Sequence, residues 1–125
     1  MLVVSGERFP VRWSGQTAVV RPPAEIDLTV ADQLREALLA ALNQGALGLI
    51  ADMTATTFCD SAGIMALVRA ARRAAAGDVT MRIVVTAAPV LRIFNLVGID
   101  RLIDIHPSVP TALASMPDQT GGLVR

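Results

Sequence analysis

Short apolar runs of strand length alternate along the chain with stretches in which apolar residues recur every three or four positions, and these two periods mark out its elements. Val11 to Trp13 and Thr17 to Arg21 flank Ser14-Gly15-Gln16 and predict a hairpin. Pro22-Pro23 ends it, because proline has no N–H for a ladder. Residues 24 to 29 read as a loop. Leu34, Leu38 and Leu42, with Ala37 and Ala41 beside them, form a stripe that predicts a first helix from about Val30 to Asn43, ended at Gly45. Gly48 to Met53 is an apolar run of strand length, and Thr54 to Thr57 carry the chain from it toward residues 58–64 in mostly polar, β-branched residues. Ile64, Leu67, Val68 and Ala71 then share one helical face, with Arg69, Arg72 and Arg73 on the other, so a second helix is expected from Ser61 to Ala76, stopped by Gly77. Thr80 to Thr86 predicts a strand, and Pro89 suits the first turn of a third helix capped by Gly98, with Leu91, Phe94 and Val97 facing inward. Leu102 to Ile105 reads as a final strand and Ser108 to Ser115 as a closing helix.

Helices alternating with apolar strands imply an α/β fold: a mixed, mostly parallel sheet covered by about four crossover helices, with the opening hairpin as its antiparallel edge. The expected organisation is one domain over residues 10–116, preceded by an N-terminal segment 1–9 and followed by a flexible tail 117–125. In 125 residues, 53% hydrophobic but only 3% aromatic, the core must be built from Ala, Val, Leu and Ile. A chain of this size buries roughly two-thirds of the surface its unfolded form exposes.

Charge and cysteine usage narrow the functional classes. Eleven basic residues balance eleven acidic ones, which leaves no global field to hold a nucleic-acid backbone or an anionic membrane. One cysteine excludes an internal disulfide, and one histidine leaves no ligand set for a structural zinc site, so no metal and no cofactor are expected. No charged leader precedes a long apolar run, and no apolar stretch approaches the ~18 residues that span a bilayer. These features predict a cytoplasmic protein, neither exported nor membrane-embedded.

The residues that invite chemistry are Phe58-Cys-Asp-Ser-Ala-Gly-Ile64, which put the Ser61 hydroxyl between a strand and an amphipathic helix. A helix start offers unpaired N–H groups and partial positive charge, so Ser61 serves either as a capping hydroxyl or, once modified, as a phosphate carrier. Asp60 is an alternative cap or turn residue, and Asp27 an acid that closes a turn before the first helix. Gly63 is unusual inside a helical pattern, and close approach of a partner's backbone would explain it. Cys59 reads as a small buried filler and the three arginines as a solvated face. Hydrolysis at Ser61 is not supported. The nucleophile pattern Gly-x-Ser-x-Gly is absent, the sole histidine, His106, is remote in sequence, and no glycine-rich phosphate loop occurs. No catalytic residue is assigned and the chain is expected not to be an enzyme.

Asp60-Ser61-Ala62-Gly63-Ile64, together with Ala24-Glu-Ile-Asp27 and the following helix, resembles the STAS family, specifically the bacterial anti-sigma-factor antagonists; Val90 to Leu102 is similar to that family's third helix and following strand. Ala24 stands where the family usually has Gly, and Val30 where a small hydroxyl residue is common. The resemblance implies that Ser61 is phosphorylated by a partner kinase and that Asp27, Asp60, Ser61, Ala62, Gly63 and Ile64 meet the partner. That partner would be an anti-sigma factor with serine kinase activity. Its ATP and magnesium are not this chain's, and a separate serine phosphatase would restore the hydroxyl. The unphosphorylated form would bind and so release a sigma factor, acting on transcription through partner switching and without direct nucleic-acid contact. The alternative is a STAS scaffold or sensor module that is not switched at Ser61. Whether the domain forms a homodimer is left open.

Overall fold

Gly15 turns the chain back on itself with φ at +59°, in the left-handed region that a side chain rarely adopts. It joins strands β1 (Val11–Ser14) and β2 (Thr17–Val20) as an antiparallel hairpin. The computed structural model describes residues 9–117. The expected N-terminal segment and tail therefore lie outside the described residues, apart from Phe9, which is buried in the core, and Pro117. After the hairpin come β3 (Glu25–Ile26), α1 (Leu28–Asn43), β4 (Gly48–Met53), β5 (Phe58–Cys59), α2 (Ser61–Ala76), β6 (Thr80–Val85) and α3 (Ala88–Val97). A 3₁₀ turn (Ile99–Arg101), β7 (Asp104–His106) and α4 (Val109–Ala114) complete the described chain.

The main sheet has the order β1-β2-β4-β6-β7, parallel except for the β1–β2 pair at its edge. All six residues of β4 are buried, as a central strand covered on both faces requires. Alternation along β2, β4 and β6 divides the interior. Ala18, Val20, Leu49, Ala51, Met53, Ile83 and Val85 face the larger cluster, with Leu34 and Leu38 of α1, Leu67 and Ala70 of α2, and Phe94 of α3. Val19, Ile50 and Val84 face a smaller one closed by Ala112 of α4.

The α/β class, the four helices and the hairpin edge agree with the expectation from sequence, and four details differ. Residues 25–26 are a strand, not loop, because they pair in parallel with Phe58–Cys59 as a separate two-stranded sheet. Helix α1 begins at Leu28, two residues before the apolar stripe, because Asp27 caps it by accepting the Val30 N–H at 3.0 Å. In α3 the inward residues are Val90 and Phe94, while Leu91 and Val97 are exposed; the helix packs on one narrow stripe, with the 3₁₀ turn after it bringing in Ile99 instead. The last strand is likewise displaced to Asp104–His106, since residues 99–101 continue as that turn.

Candidate functional site

Two strand ends and two helix starts meet at one place. The small sheet pairs Glu25 with Phe58 and Ile26 with Cys59, so Asp27 and Asp60 each follow one member of a register pair. The Asp60 N–H donates to the Ile26 carbonyl at 3.1 Å, and the Thr57 N–H to the Ala24 carbonyl at 2.8 Å. Upstream, the buried Thr56 hydroxyl donates to the Pro23 carbonyl at 2.9 Å. Residues 56–60 are thus stapled to residues 23–26. This pairing carries the start of α1 to the start of α2.

Each helix is capped by its own aspartate. Asp27 serves α1, and the Asp60 carboxylate accepts N–H groups from Ala62 at 3.0 Å and Gly63 at 3.2 Å. Ser61 is therefore not the cap but the first helical residue, next to it. It is exposed, and its hydroxyl forms no hydrogen bond among the described residues. The capping task that sequence offered to either residue is done by the carboxylate, which as an anion also suits the positive end of the helix. Ser61 is left as a bare hydroxyl on a helix end.

Gly63 of the motif is turned inward. Gly63 is buried, and a Cβ placed on it would meet Cys59 Sγ at 2.6 Å and Ile26 Cγ2 at 2.8 Å. The glycine is accounted for by packing of α2 against the small sheet inside the domain, which corrects the expectation that a partner's backbone requires it. Ala62 and Ile64 are half-buried against the core. Cys59 is buried, and desolvation, with the neighbouring Asp60 carboxylate adding to it, pushes its thiol from the ordinary 9.0 up to about 12. That suits an inert filler.

Three large apolar side chains lie open on the elements that meet here: Leu28 of α1 at 69% exposure, Phe58 of β5 at 53% and Met65 of α2, one turn beyond Ser61, at 47%. Sequence periodicity did not reveal them, since each falls off the core stripe of its element. Acidic residues lie on the same elements: Glu25 is the register partner of Phe58, Asp27 precedes Leu28 and Asp60 precedes Ser61. A groove of about 320 Å³ continues from here between α1 and α2, lined by Ala62, Met65 and Arg69 on one side and Asp32 and Arg35 on the other. Arg35 pairs with Asp32 along α1 at 3.6 Å, and of the α2 arginines Arg73 donates to Asn43 of α1 at 3.0 Å, so that face is partly engaged within the domain.

His106 lies on the edge strand β7, separated from β4 by β6, and makes no contact with the serine hydroxyl. No group of three residues able to hold a metal ion forms among the described residues. No helix among them is long and apolar enough to cross a membrane.

A model of the STAS domain family matches residues 9–112. Among solved structures the protein is similar to an anti-sigma factor antagonist from Mycobacterium paratuberculosis, at 22% identity and TM-score 0.77 over 94% of this chain and 100% of that one. It is similar to the anti-sigma factor antagonist SpoIIAA in its unphosphorylated form, at 22% identity and TM-score 0.73 over 94% and 100%. It is also similar to the Bacillus cell fate determinant SpoIIAA in the phosphorylated form, at 20% identity and TM-score 0.67 over 86% and 97%. At these identities the likeness establishes the fold. No curated protein matches the chain.

Proposed function

Because the chain belongs to the STAS domain family, we propose that it is an anti-sigma-factor antagonist. Its unmodified form binds an anti-sigma factor with serine kinase activity, and phosphorylation of Ser61 switches that binding off. The observation that carries this reading is the division of labour at the start of α2: Asp60 caps the helix, and the exposed Ser61 hydroxyl beside it bonds to nothing among the described residues. A kinase can reach such a hydroxyl, and its modification leaves the cap in place.

The electrostatics favour a switch in binding over a change of fold. A phosphate adds about −1.5 to −2 charges at neutral pH. The helix end attracts that charge while Asp60, Asp27 and Glu25 repel it, so the free domain tolerates it. In a complex that had fitted a neutral hydroxyl among Leu28, Phe58 and Met65, the same group adds bulk, charge and desolvation cost. Phosphate release by a serine phosphatase then restores binding, with no catalytic step assigned to this chain. The role is that of a cytoplasmic, bacterial regulator of transcription that acts through partner switching.

Calorimetric titration of the anti-sigma kinase with unmodified protein, Ser61-phosphorylated protein and the Ser61→Asp variant tests the reading. Affinity is expected to fall at least about tenfold for both charged forms, or ~1.4 kcal/mol. Equal affinities would place the serine outside the interface and sink the switch.

A further inference from the structure

We propose that a second copy of this chain docks on the outward face of α3, each copy seating its Leu96 and Arg92 in the other's groove between α3 and β7. A helix that is apolar on every side is normally covered on every side. Helix α3 has that composition without that cover. Val90 and Phe94 are buried, yet Leu91, Ile93, Leu96 and Val97 are exposed around it, and Leu96, at 77%, is the most exposed large apolar residue among the described ones. Beside α3 runs a groove of about 480 Å³, lined by Leu91 and Asn95 of α3, Asp100 of the 3₁₀ turn, and Asp104 and Ile105 of β7.

Charge and spacing identify the occupant. Leu91 and Asn95 are one turn apart on α3, as are Arg92 and Leu96, so the second pair forms a ridge running alongside the groove that the first pair lines. The groove lining carries the carboxylates of Asp100 and Asp104 and no arginine or lysine. Arg82 meets Asp104 only at 3.8 Å, and Asp100 has no ion pair or side-chain hydrogen bond among the described residues. Arg92 is exposed and equally without a partner there. One surface thus carries a cationic, apolar ridge next to an apolar groove with acidic residues in its lining. Such a surface is complementary to itself after a half-turn. The two-fold arrangement makes each contact twice: Leu96 enters the groove against Leu91 and Ile105, and Arg92 meets the other copy's Asp100 just beyond the end of α3, where the negative pole of the helix adds to the attraction. The proposal is independent of the Ser61 switch.

Sedimentation of the full chain from micromolar to millimolar concentration tests it, with circular dichroism to show that each variant is folded. The parent is expected to pass from monomer to dimer within that range, and Leu96→Glu to stay monomeric throughout. Arg92→Asp and Asp100→Arg are each expected to weaken dimerisation at least about tenfold. The combined exchange, Arg92→Asp with Asp100→Arg, is expected to recover most of that loss, because the pair forms again with its signs reversed. A parent that stays monomeric to millimolar concentration would overturn the proposal, and so would a dimer that survives Leu96→Glu or a combined exchange no tighter than the single ones. A monomeric parent whose binding to the anti-sigma kinase falls with Leu96→Glu would give the face to that partner instead of to a second copy.

Discussion

Asp27 and Asp60 each cap a helix from the position immediately after a register pair, Ile26 with Cys59, in a two-residue parallel ladder. That ladder brings the starts of the two helices together although they are remote in sequence. Ser61 directly follows Asp60, on a helix whose cap it does not supply. The consequences for variants follow from that separation of duties.

Ser61→Ala removes the phosphate acceptor and leaves the Asp60 cap intact. Stability is expected to stay within about 0.5 kcal/mol of the parent, less than the ~1 kcal/mol that loss of a capping hydroxyl costs. The variant should bind the kinase and resist phosphorylation. Urea unfolding and phosphate incorporation check it. Undiminished incorporation would move the acceptor to another hydroxyl, with the exposed Thr57 ahead of the buried, bonded Thr56.

Asp60→Ala should cost about 1 kcal/mol, because two N–H groups lose their acceptor, whereas Asp60→Asn retains a capping oxygen and should cost a few tenths. Both Asp60→Asn and Asp27→Asn are expected to slow phosphorylation of Ser61 without unfolding the domain. Normal rates in both would remove these carboxylates from kinase recognition while leaving their capping role untouched.

Gly63→Ala sets two effects against each other. Alanine gains up to ~1 kcal/mol of helix propensity. The added methyl, however, falls within 2.8 Å of both Cys59 and Ile26, and overpacking of this kind costs about 1–3 kcal/mol. Net destabilisation is expected, with partial recovery in the Gly63→Ala, Cys59→Ala double variant, since Ile26 still obstructs. Chemical denaturation of the three proteins decides it; a more stable Gly63→Ala would mean that the small sheet yields freely.

Cys59 gives the pH dependence. Its thiol titrates near 12 in the folded protein against an ordinary 9.0, so folding favours the protonated form. The stability this contributes is fully present below pH 9 and is lost as pH rises toward 12. Iodoacetamide should therefore leave the folded protein unlabelled at pH 8 and alkylate it readily in urea. Equal rates in the two states would show that the thiol is open to solvent.

The alternating periods of the sequence determined most of the architecture. A strand buried on both faces must be apolar throughout, as Gly48 to Met53 are, and an amphipathic helix must show its stripe, as Leu34, Leu38 and Leu42 do. The Asp60 to Ile64 motif placed the candidate site at a helix start for the same local reason. What local pattern does not carry is pairing between short segments. Glu25–Ile26 has no period to read, and only its hydrogen bonds to the Phe58 region make it a strand and bring Asp27 to Asp60. The choice between Asp60 and Ser61 as cap also depends on backbone placement, since both residue types are good caps. The inward face of α3 rests on where the 3₁₀ turn leads the chain, so Val90 and Phe94, not Leu91 and Val97, reach the core. Likewise Gly63 is set by the approach of Cys59 and Ile26, a contact between three elements that no single stretch of sequence contains.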